Sequence, residues 1–152
     1  MLRQLPPQQK KDLPRLLSFL EALPRGLRHV VEFRNREWLS DDVYDALDRL
    51  SVSLCLHDLL PRAKQPVNPP GPLDYRRLHG PRGTYRGRYG TAKLRRPAAE
   101  MVVHAQQGRD CFAYFNNDRD AHAVFDALQL RSLVLAGLAS SSSETAPIHD
   151  AP

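Results

Sequence analysis

The sequence lacks the features that direct a chain to a membrane or to secretion. No uninterrupted apolar run approaches the length of about 20 residues that a membrane-spanning helix needs. The first residues, 1–7, contain charge and proline instead of the apolar core of a secretory signal. These two absences predict a cytoplasmic protein without membrane partners.

Cysteine is scarce, and its placement excludes two classes of small protein. The two cysteines, Cys55 and Cys111, each lie inside an apolar, strand-like run. A cysteine in such a position acts as a small buried hydrophobe, whereas disulfide frameworks and zinc sites need more cysteines or paired spacings. We therefore expect neither a disulfide nor a structural zinc ion.

The overall composition is that of an ordinary globular protein with a basic excess. The 152 residues are 41% hydrophobic and 26% charged, and the net charge is +5. This length is sufficient for one domain with its own core. The basic excess allows an anionic partner, either a small molecule or a nucleic acid, but does not require one.

Arginine is concentrated in residues 76–96. Two interpretations remain open for this segment: a solvated loop and helix surface, or a surface that contacts phosphates through guanidinium groups. The basic residues of the segment are Arg76, Arg77, Arg82, Arg86, Arg88, Lys93, Arg95 and Arg96.

Short apolar runs alternate with amphipathic segments along the chain. The predicted strands are 29–34, 52–58, 74–79 and 110–115. The predicted helices are 12–23 with Asp12 as N-cap, a segment after the Ser40 cap, 91–107 with Thr91 as N-cap and Pro97 in its second turn, and 121–138. Five prolines make 61–72 a loop. This alternation predicts an α/β protein with a parallel sheet and covering helices.

Every predicted strand ends in polar or ionisable residues. In parallel α/β sheets, functional side chains gather beyond the carboxyl ends of the strands. We therefore expect these residues to share one rim of the sheet. They are Glu32 and Arg34, His57 and Asp58, Arg77 and His79, and Asn116, Asn117 and Asp118.

An ordered set of short motifs resembles the YecE-like family, the domain of unknown function 72. The motifs are Gln4-Leu-Pro-Pro7, Glu32-Phe-Arg34 with Trp38, Asp58, Tyr75-Arg-Arg-Leu-His-Gly80, Tyr85, Tyr89, Tyr114-Phe-Asn-Asn-Asp118, and Ala123 with Ala127. The resemblance implies a partial TIM-like (β/α) barrel of about four to five parallel strands over residues 1–138. Residues 139–152 are predicted to form a disordered polar tail.

The chain departs from the family pattern at three places. The family's N-terminal strands are missing, Pro97 stands where the family commonly has tryptophan, and Ala121 and Asp126 replace a usual glycine and asparagine. A truncated or mis-started reading frame would explain the missing strands. The resulting sheet would have an open edge, through which the chain could self-associate.

The resemblance carries no assigned activity, so the candidate roles depend on residue chemistry. The candidate acid/base groups are Glu32, Asp58 and His79. The candidate substrate-binding residues are Arg34, Arg77, Tyr85, Tyr89, Asn116 and Asn117. Structural roles compete with each of these: an ion pair for Glu32 and Arg34, a hydrogen-bonded histidine for His79, and helix capping by Asp118 or Asp120 after the last strand.

No metal is predicted, and the sequence indicates no particular cofactor. The sequence has no HxH or HExxH spacing, and arginines at the same strand ends would repel cations. Three hypotheses follow: an acid/base hydrolase for an anionic or phosphorylated substrate, a non-catalytic nucleic-acid-binding module, and an inactive truncated fragment.

Overall fold

A computed structural model describes residues 1–144, which form five strands, four α-helices and three short 3₁₀ turns. The strands are β1 Leu2–Leu5, β2 Val30–Phe33, β3 Ser53–His57, β4 Leu73–Leu78 and β5 Asp110–Phe115. The helices are α1 Leu13–Glu21, α2 Asp41–Arg49, α3 Gly90–Gln106 and α4 His122–Glu144, with 3₁₀ turns at Arg36–Trp38, Arg62–Lys64 and Arg119–Ala121.

The five strands form one parallel sheet in the order β1-β2-β3-β4-β5. The predicted α/β class with a parallel sheet is therefore confirmed, and β1 is an addition to the four strands predicted above. The sheet does not close into a barrel within the described residues, because β1 and β5 each have a single neighbour there. This arrangement is consistent with a partial TIM-like fold.

Local sequence signals set the beginnings of the first two helices. The Asp12 carboxylate accepts a hydrogen bond from the Arg15 backbone N–H at 3.0 Å, as its predicted N-cap role requires. Ser40 occupies the N-cap position of α2, but its hydroxyl donates to Asp42 Oδ1 at 2.6 Å instead of capping the helix. Ser40 thus stands at the N-cap position as predicted, but its side chain makes no capping hydrogen bond.

The later helix boundaries correct three predictions. Tyr89, not Thr91, is the N-cap of α3, and the Thr91 hydroxyl instead accepts a hydrogen bond from Gln129 at 2.6 Å. Asp118 makes no side-chain capping bond. Helix α4 continues to Glu144, so residues 139–144 of the predicted tail are helical. The remainder of that tail, 145–152, lies outside the described residues.

The core lies on both faces of the sheet. Helices α1 and α2 cover the outer face of β2 and β3, and α3 and α4 cover the outer face of β4 and β5. Trp38 is buried there: it stacks on Phe33 with ring centroids 5.0 Å apart, and its Nε1–H donates to the Gln9 carbonyl oxygen at 2.9 Å. The single tryptophan is therefore a packing anchor.

The opposite, inner face of the sheet carries alternate residues of the same strands. A small apolar cluster of Val30, Cys55 and Leu73 forms its floor. Because side chains alternate between the faces of a strand, the residues two positions further on each strand also lie on this inner face. These residues build the candidate site.

One helix is long and apolar enough to cross a membrane by length and composition alone. It covers Arg119–Ser141. Length and composition alone are weak evidence for a span, because the core helix of a soluble protein can have both. Leu130 of this helix is buried in the cluster formed with α3.

Candidate functional site

The sheet register brings polar residues together at the carboxyl ends of β1, β2 and β4. Gln4 is the register partner of Glu32, and Arg34 lies two positions beyond Glu32 on the same inner face. On β4, Arg77 lies two positions beyond Tyr75 and therefore on the same inner face. Across the β3–β4 ladder, Tyr75 pairs with Cys55 and Arg77 pairs with His57. Glu32, at the centre of the group, is fully buried.

Two guanidinium groups share the Glu32 carboxylate. Arg34 Nε donates to Glu32 Oε1, and Arg77 Nη1 donates to Glu32 Oε2 at 2.6 Å. The Gln4 side-chain oxygen accepts from both arginines at 3.2 Å. Two guanidinium groups thus share one buried carboxylate and one amide oxygen, and Nε and Nη2 of Arg77 are not used by either.

Glu32 is ionised in this setting. Burial alone would raise its pKa, but the hydrogen bond from Arg77 and the charges of Arg34 and Arg77 outweigh burial and hold the pKa below its ordinary value. Cys55 lies just behind, with its Sγ 3.9 Å from Glu32 Oε2. Burial and the Glu32 charge raise the pKa of the Cys55 thiol well above its usual range, so it remains protonated and unreactive.

Asp58 and His79 form a second pair beside the first. Asp58 Oδ1 accepts the His79 backbone N–H at 2.8 Å and lies 3.0 Å from the ring Nδ1. The other ring nitrogen, Nε2, is 3.3 Å from Arg34 Nη2. Because a carboxylate only accepts and a guanidinium only donates, Nδ1 carries the proton and Nε2 presents its lone pair towards the arginines.

Tyr89 completes the support of Asp58. Its hydroxyl donates to Asp58 Oδ2 and accepts the Gly80 backbone N–H at 2.6 Å. Burial would raise the pKa of Asp58, but the hydrogen bonds from His79 and Tyr89 lower it below its ordinary value. Burial and the Asp58 carboxylate raise the pKa of Tyr89, so the tyrosine stays a neutral donor.

The loop 80–90 covers this pair. Gly80 has φ +97°, and a Cβ there would lie 2.6 Å from the Arg86 carbonyl oxygen, so only glycine allows the loop to pass so closely. Tyr85 also has a positive φ, of 59°, which is an unfavourable backbone conformation for a residue with a side chain. Its half-exposed ring lies edge-on to His79 with centroids 5.3 Å apart.

The two asparagines after β5 differ in position. Asn117 is fully buried, and its Nδ2 donates to the Gly87 carbonyl oxygen and to Asp126 Oδ2, both at 2.8 Å. It therefore ties the loop 80–90 to α4. Asn116 is half-buried beyond the end of β5, and its backbone N–H continues the ladder to the Leu78 carbonyl oxygen at 2.7 Å.

The structure thus brings together most of the residues proposed from the sequence. Glu32, Arg34, Arg77, Asp58 and His79 form a continuous hydrogen-bonded group, with Tyr85 and Tyr89 against it. Asn117 makes its bonds away from that group, and no side-chain bond within the described residues links Asn116 to it.

Two further residues belong to the site. Gln4 belongs to the family motif Gln4-Leu-Pro-Pro7 but is not among the site residues predicted from the sequence. It lies opposite Glu32 because β1 pairs with β2 in parallel. His57 has both ring nitrogens engaged: Nε2 is 2.8 Å from the Phe33 carbonyl oxygen, and Nδ1 accepts from the Leu59 N–H at 3.3 Å. Burial lowers the pKa of His57, so it is a neutral structural group.

Among residues 1–144, no group of three or more His, Cys, Asp or Glu side chains is placed to hold a metal ion. The arginines take the coordination positions around Glu32 instead.

An open, all-parallel α/β sheet with a charged inner rim defines a protein of the partial (β/α)-barrel kind. A family model described as "Protein of unknown function DUF72" matches residues 1–148. The chain belongs to this family. A search of curated proteins finds no match.

Solved structures of the same family share the fold. A DUF72 family protein from Thermotoga maritima superposes with a TM-score of 0.75 at 21% identity, over 88% of this chain and 56% of that one. A DUF72 family protein from Enterococcus faecalis gives a TM-score of 0.73 at 17% identity, over 88% of this chain and 57% of that one. The chain therefore spans little more than half the length of these relatives.

Proposed function

We propose that the inner rim binds an anionic ligand of the phosphate class between Arg34 and Arg77, with His79 as the general base of a hydrolytic reaction. The observation that carries this proposal is the sharing of one buried carboxylate by two guanidinium groups. Glu32 and Gln4 use only Nη1 of Arg77, so the other N–H donors of this guanidinium are available to an anion.

The arginines are both held and accessible. Glu32 and Gln4 engage Arg77 through Nη1 alone, so within the described residues Nε and Nη2 of Arg77 have no protein acceptor. The side chain of Arg77 is 21% exposed. A guanidinium fork fixed on one side and open on the other suits two oxygens of a phosphate or carboxylate.

His79 supplies the proton transfer in this proposal. In the structure Nε2 accepts from Arg34 Nη2 at 3.3 Å, so it takes a proton from an attacking water only once Arg34 has turned to the ligand; Asp58 would then stabilise the imidazolium that forms. Glu32 then acts as the ionised anchor of the arginines, because its lowered pKa makes it a poor acid near neutral pH.

The test is a calorimetric titration of the chain with inorganic phosphate. Arg77→Gln removes one guanidinium while keeping a polar side chain, and we expect about a tenfold or greater loss of affinity. Arg49→Gln is the matched control, since Arg49 lies at the far end of α2 and outside the rim. Equal affinity in Arg77→Gln and the unmodified chain would refute the proposal.

Nucleic-acid binding is the second candidate, and the loop 80–90 favours it. Exposed side chains in this loop include Arg82, Arg86, Arg88 and Tyr85. Tyr89 does not join them, because its hydroxyl is held by Asp58. Binding of a labelled single-stranded oligonucleotide should weaken steeply with salt if these arginines contact phosphates. Loss of both phosphate and oligonucleotide binding in a folded chain would favour the inactive-fragment hypothesis.

A further inference from the structure

A cavity of about 260 Å³ lies on the outer face of β3 and β4, on the side of the sheet opposite to Glu32. Leu56 and Leu78 of these strands border it, with Pro97 of α3 across from them. Basic side chains border it as well: Arg62, Lys93 and Arg96.

The connection between β3 and β4 explains why this space is open. The chain from Asp58 to Pro72 forms only the 3₁₀ turn Arg62–Lys64 and contains no α-helix. Gln65 holds this connection against β3, donating to the His57 carbonyl oxygen at 2.6 Å and accepting the His57 N–H at 3.0 Å. Helix α3 is thus the only helix that borders this part of the outer face in the described residues, and the cavity lies beside it.

The charges that border the cavity are unbalanced. Glu100 accepts hydrogen bonds from Arg62 at 2.9 Å, Arg76 at 2.8 Å and Arg96 at 3.1 Å. Arg76 is also paired with Asp74, so Glu100 is left to balance both Arg62 and Arg96. Lys93 forms no ion pair within the described residues, and its ammonium has only a long contact of 3.4 Å to the Pro81 carbonyl oxygen. A cation in this state is available to an incoming anion.

We infer that this cavity is a second ligand site, which takes a small organic carboxylate with an aromatic or branched aliphatic body. The aliphatic surfaces of Leu56, Leu78 and Pro97 suit the apolar body, and Lys93 and Arg96 suit the carboxylate. A purely inorganic anion would leave the apolar surface wet, and a neutral apolar molecule would leave the excess positive charge unmatched.

This site adjoins the inner rim but differs from it in most of its residues. Arg34 and Glu32 do not border the cavity, whereas Arg77, which belongs to the rim, and His57 do. Asp58 and Tyr89 border the cavity while also supporting His79 from behind. The second site does not depend on the proposed function of the rim, and Arg34→Gln separates the two, since Arg34 does not border the cavity.

The experiment is a calorimetric titration of the full chain with 4-phenylbutyrate. Two ligand controls separate the contributions: butyrate lacks the ring, and 4-phenylbutyramide lacks the charge. Both should bind more weakly than 4-phenylbutyrate. Lys93→Glu should lower the affinity for 4-phenylbutyrate by about tenfold or more, since it replaces the unpaired cation with an anion.

Arg95→Glu is the matched control for Lys93→Glu. It makes the same change in net charge on the same exposed helix, but Arg95 does not border this cavity. Its affinity should stay near that of the unmodified chain. An equal loss in both variants would show attraction by overall charge alone and would overturn the inference, as would an unchanged affinity in Lys93→Glu.

Pro97→Phe provides a second variant that acts through volume. Phenylalanine is tolerated inside a helix better than proline, so the fold should survive, and its ring would occupy part of the cavity. We expect weaker 4-phenylbutyrate binding with an unchanged circular dichroism spectrum. Arg34→Gln should leave this binding intact; if it abolishes binding while Lys93→Glu does not, the ligand occupies the inner rim, and only the second site is refuted.

Discussion

At the scale of single residues, Asp58 organises the candidate site. Its two oxygens receive the His79 backbone N–H, the His79 ring and the Tyr89 hydroxyl. A carboxylate can accept all three because it carries no donor of its own. This fixes the orientation of the imidazole and determines which nitrogen faces the arginines.

Asp58→Asn should therefore change the protonation pattern of the His79 ring. The amide has a single acceptor oxygen and adds two donor hydrogens, so it cannot satisfy the same three donors. We expect a mixture of ring tautomers in place of the Nδ1–H form, and a loss of about 1–3 kcal/mol in the free energy of unfolding. Long-range ¹H–¹⁵N NMR of the ring reports the tautomer directly.

Asp118→Asn is the control for this change. Asp118 is exposed at the same rim and makes no side-chain capping bond. An unaltered ring pattern in Asp58→Asn would contradict the assigned role of Asp58.

At the scale of elements, a buried charge network joins β4 to α3. Asp74 is fully buried and receives two hydrogen bonds from Arg76, at 2.7 and 2.8 Å, and one contact of 2.6 Å from His104 Nδ1. Arg76 also reaches Glu100 on the helix at 2.8 Å. The helix that borders the outer cavity is thus attached to the strand that carries Arg77.

Asp74→Asn should destabilise the fold strongly. Asparagine carries no charge, so Arg76 keeps only Glu100 as an ionic partner, and breaking a buried pair typically costs about 3–5 kcal/mol. Urea unfolding monitored by circular dichroism measures this cost. Asp110→Asn is the matched control on the neighbouring strand, because Asp110 pairs with Arg28 in an exposed setting, where the loss should stay below about 1 kcal/mol. Similar losses in the two variants would contradict the buried network as a stabilising link.

At the scale of the whole molecule, the sheet and its last helix present uncovered surfaces. Within residues 1–144, β1 and β5 are unpaired on one side, and several apolar side chains of α4 are exposed. These side chains are Val124, Phe125, Leu128 and Leu135. Open strand edges and contiguous exposed apolar side chains both favour association with another chain.

We expect the purified chain to self-associate, and Leu128→Glu to weaken this association. Light scattering coupled to size exclusion, run over a range of concentrations, gives the mass of the species. Val103→Glu is the control, since Val103 is an equally exposed apolar residue on α3. A chain that stays monomeric at every concentration, or an equal effect of both variants, would argue against association through α4.

The sequence by itself determined the alternation of strands and helices and the polar ends of the strands. These features depend on spacings of two to four residues, which are visible locally: the leucines of α1 and the Glu32–Arg34 pair are examples. The short strand β1 was not predicted, because its four residues, followed by two prolines, are too few to show the alternation of a strand.

Only the tertiary structure decided how the polar residues are paired. Arg77 and Glu32, and Arg34 and His79, are each 45 positions apart in sequence, and their contacts depend on strand register and side-chain direction together. The same holds for Asn117, which turns inward to Asp126, and for the cavity beside α3, which exists because a loop replaces a helix. Contacts between residues far apart in sequence cannot be read from local spacing, since they form only when separate elements pack.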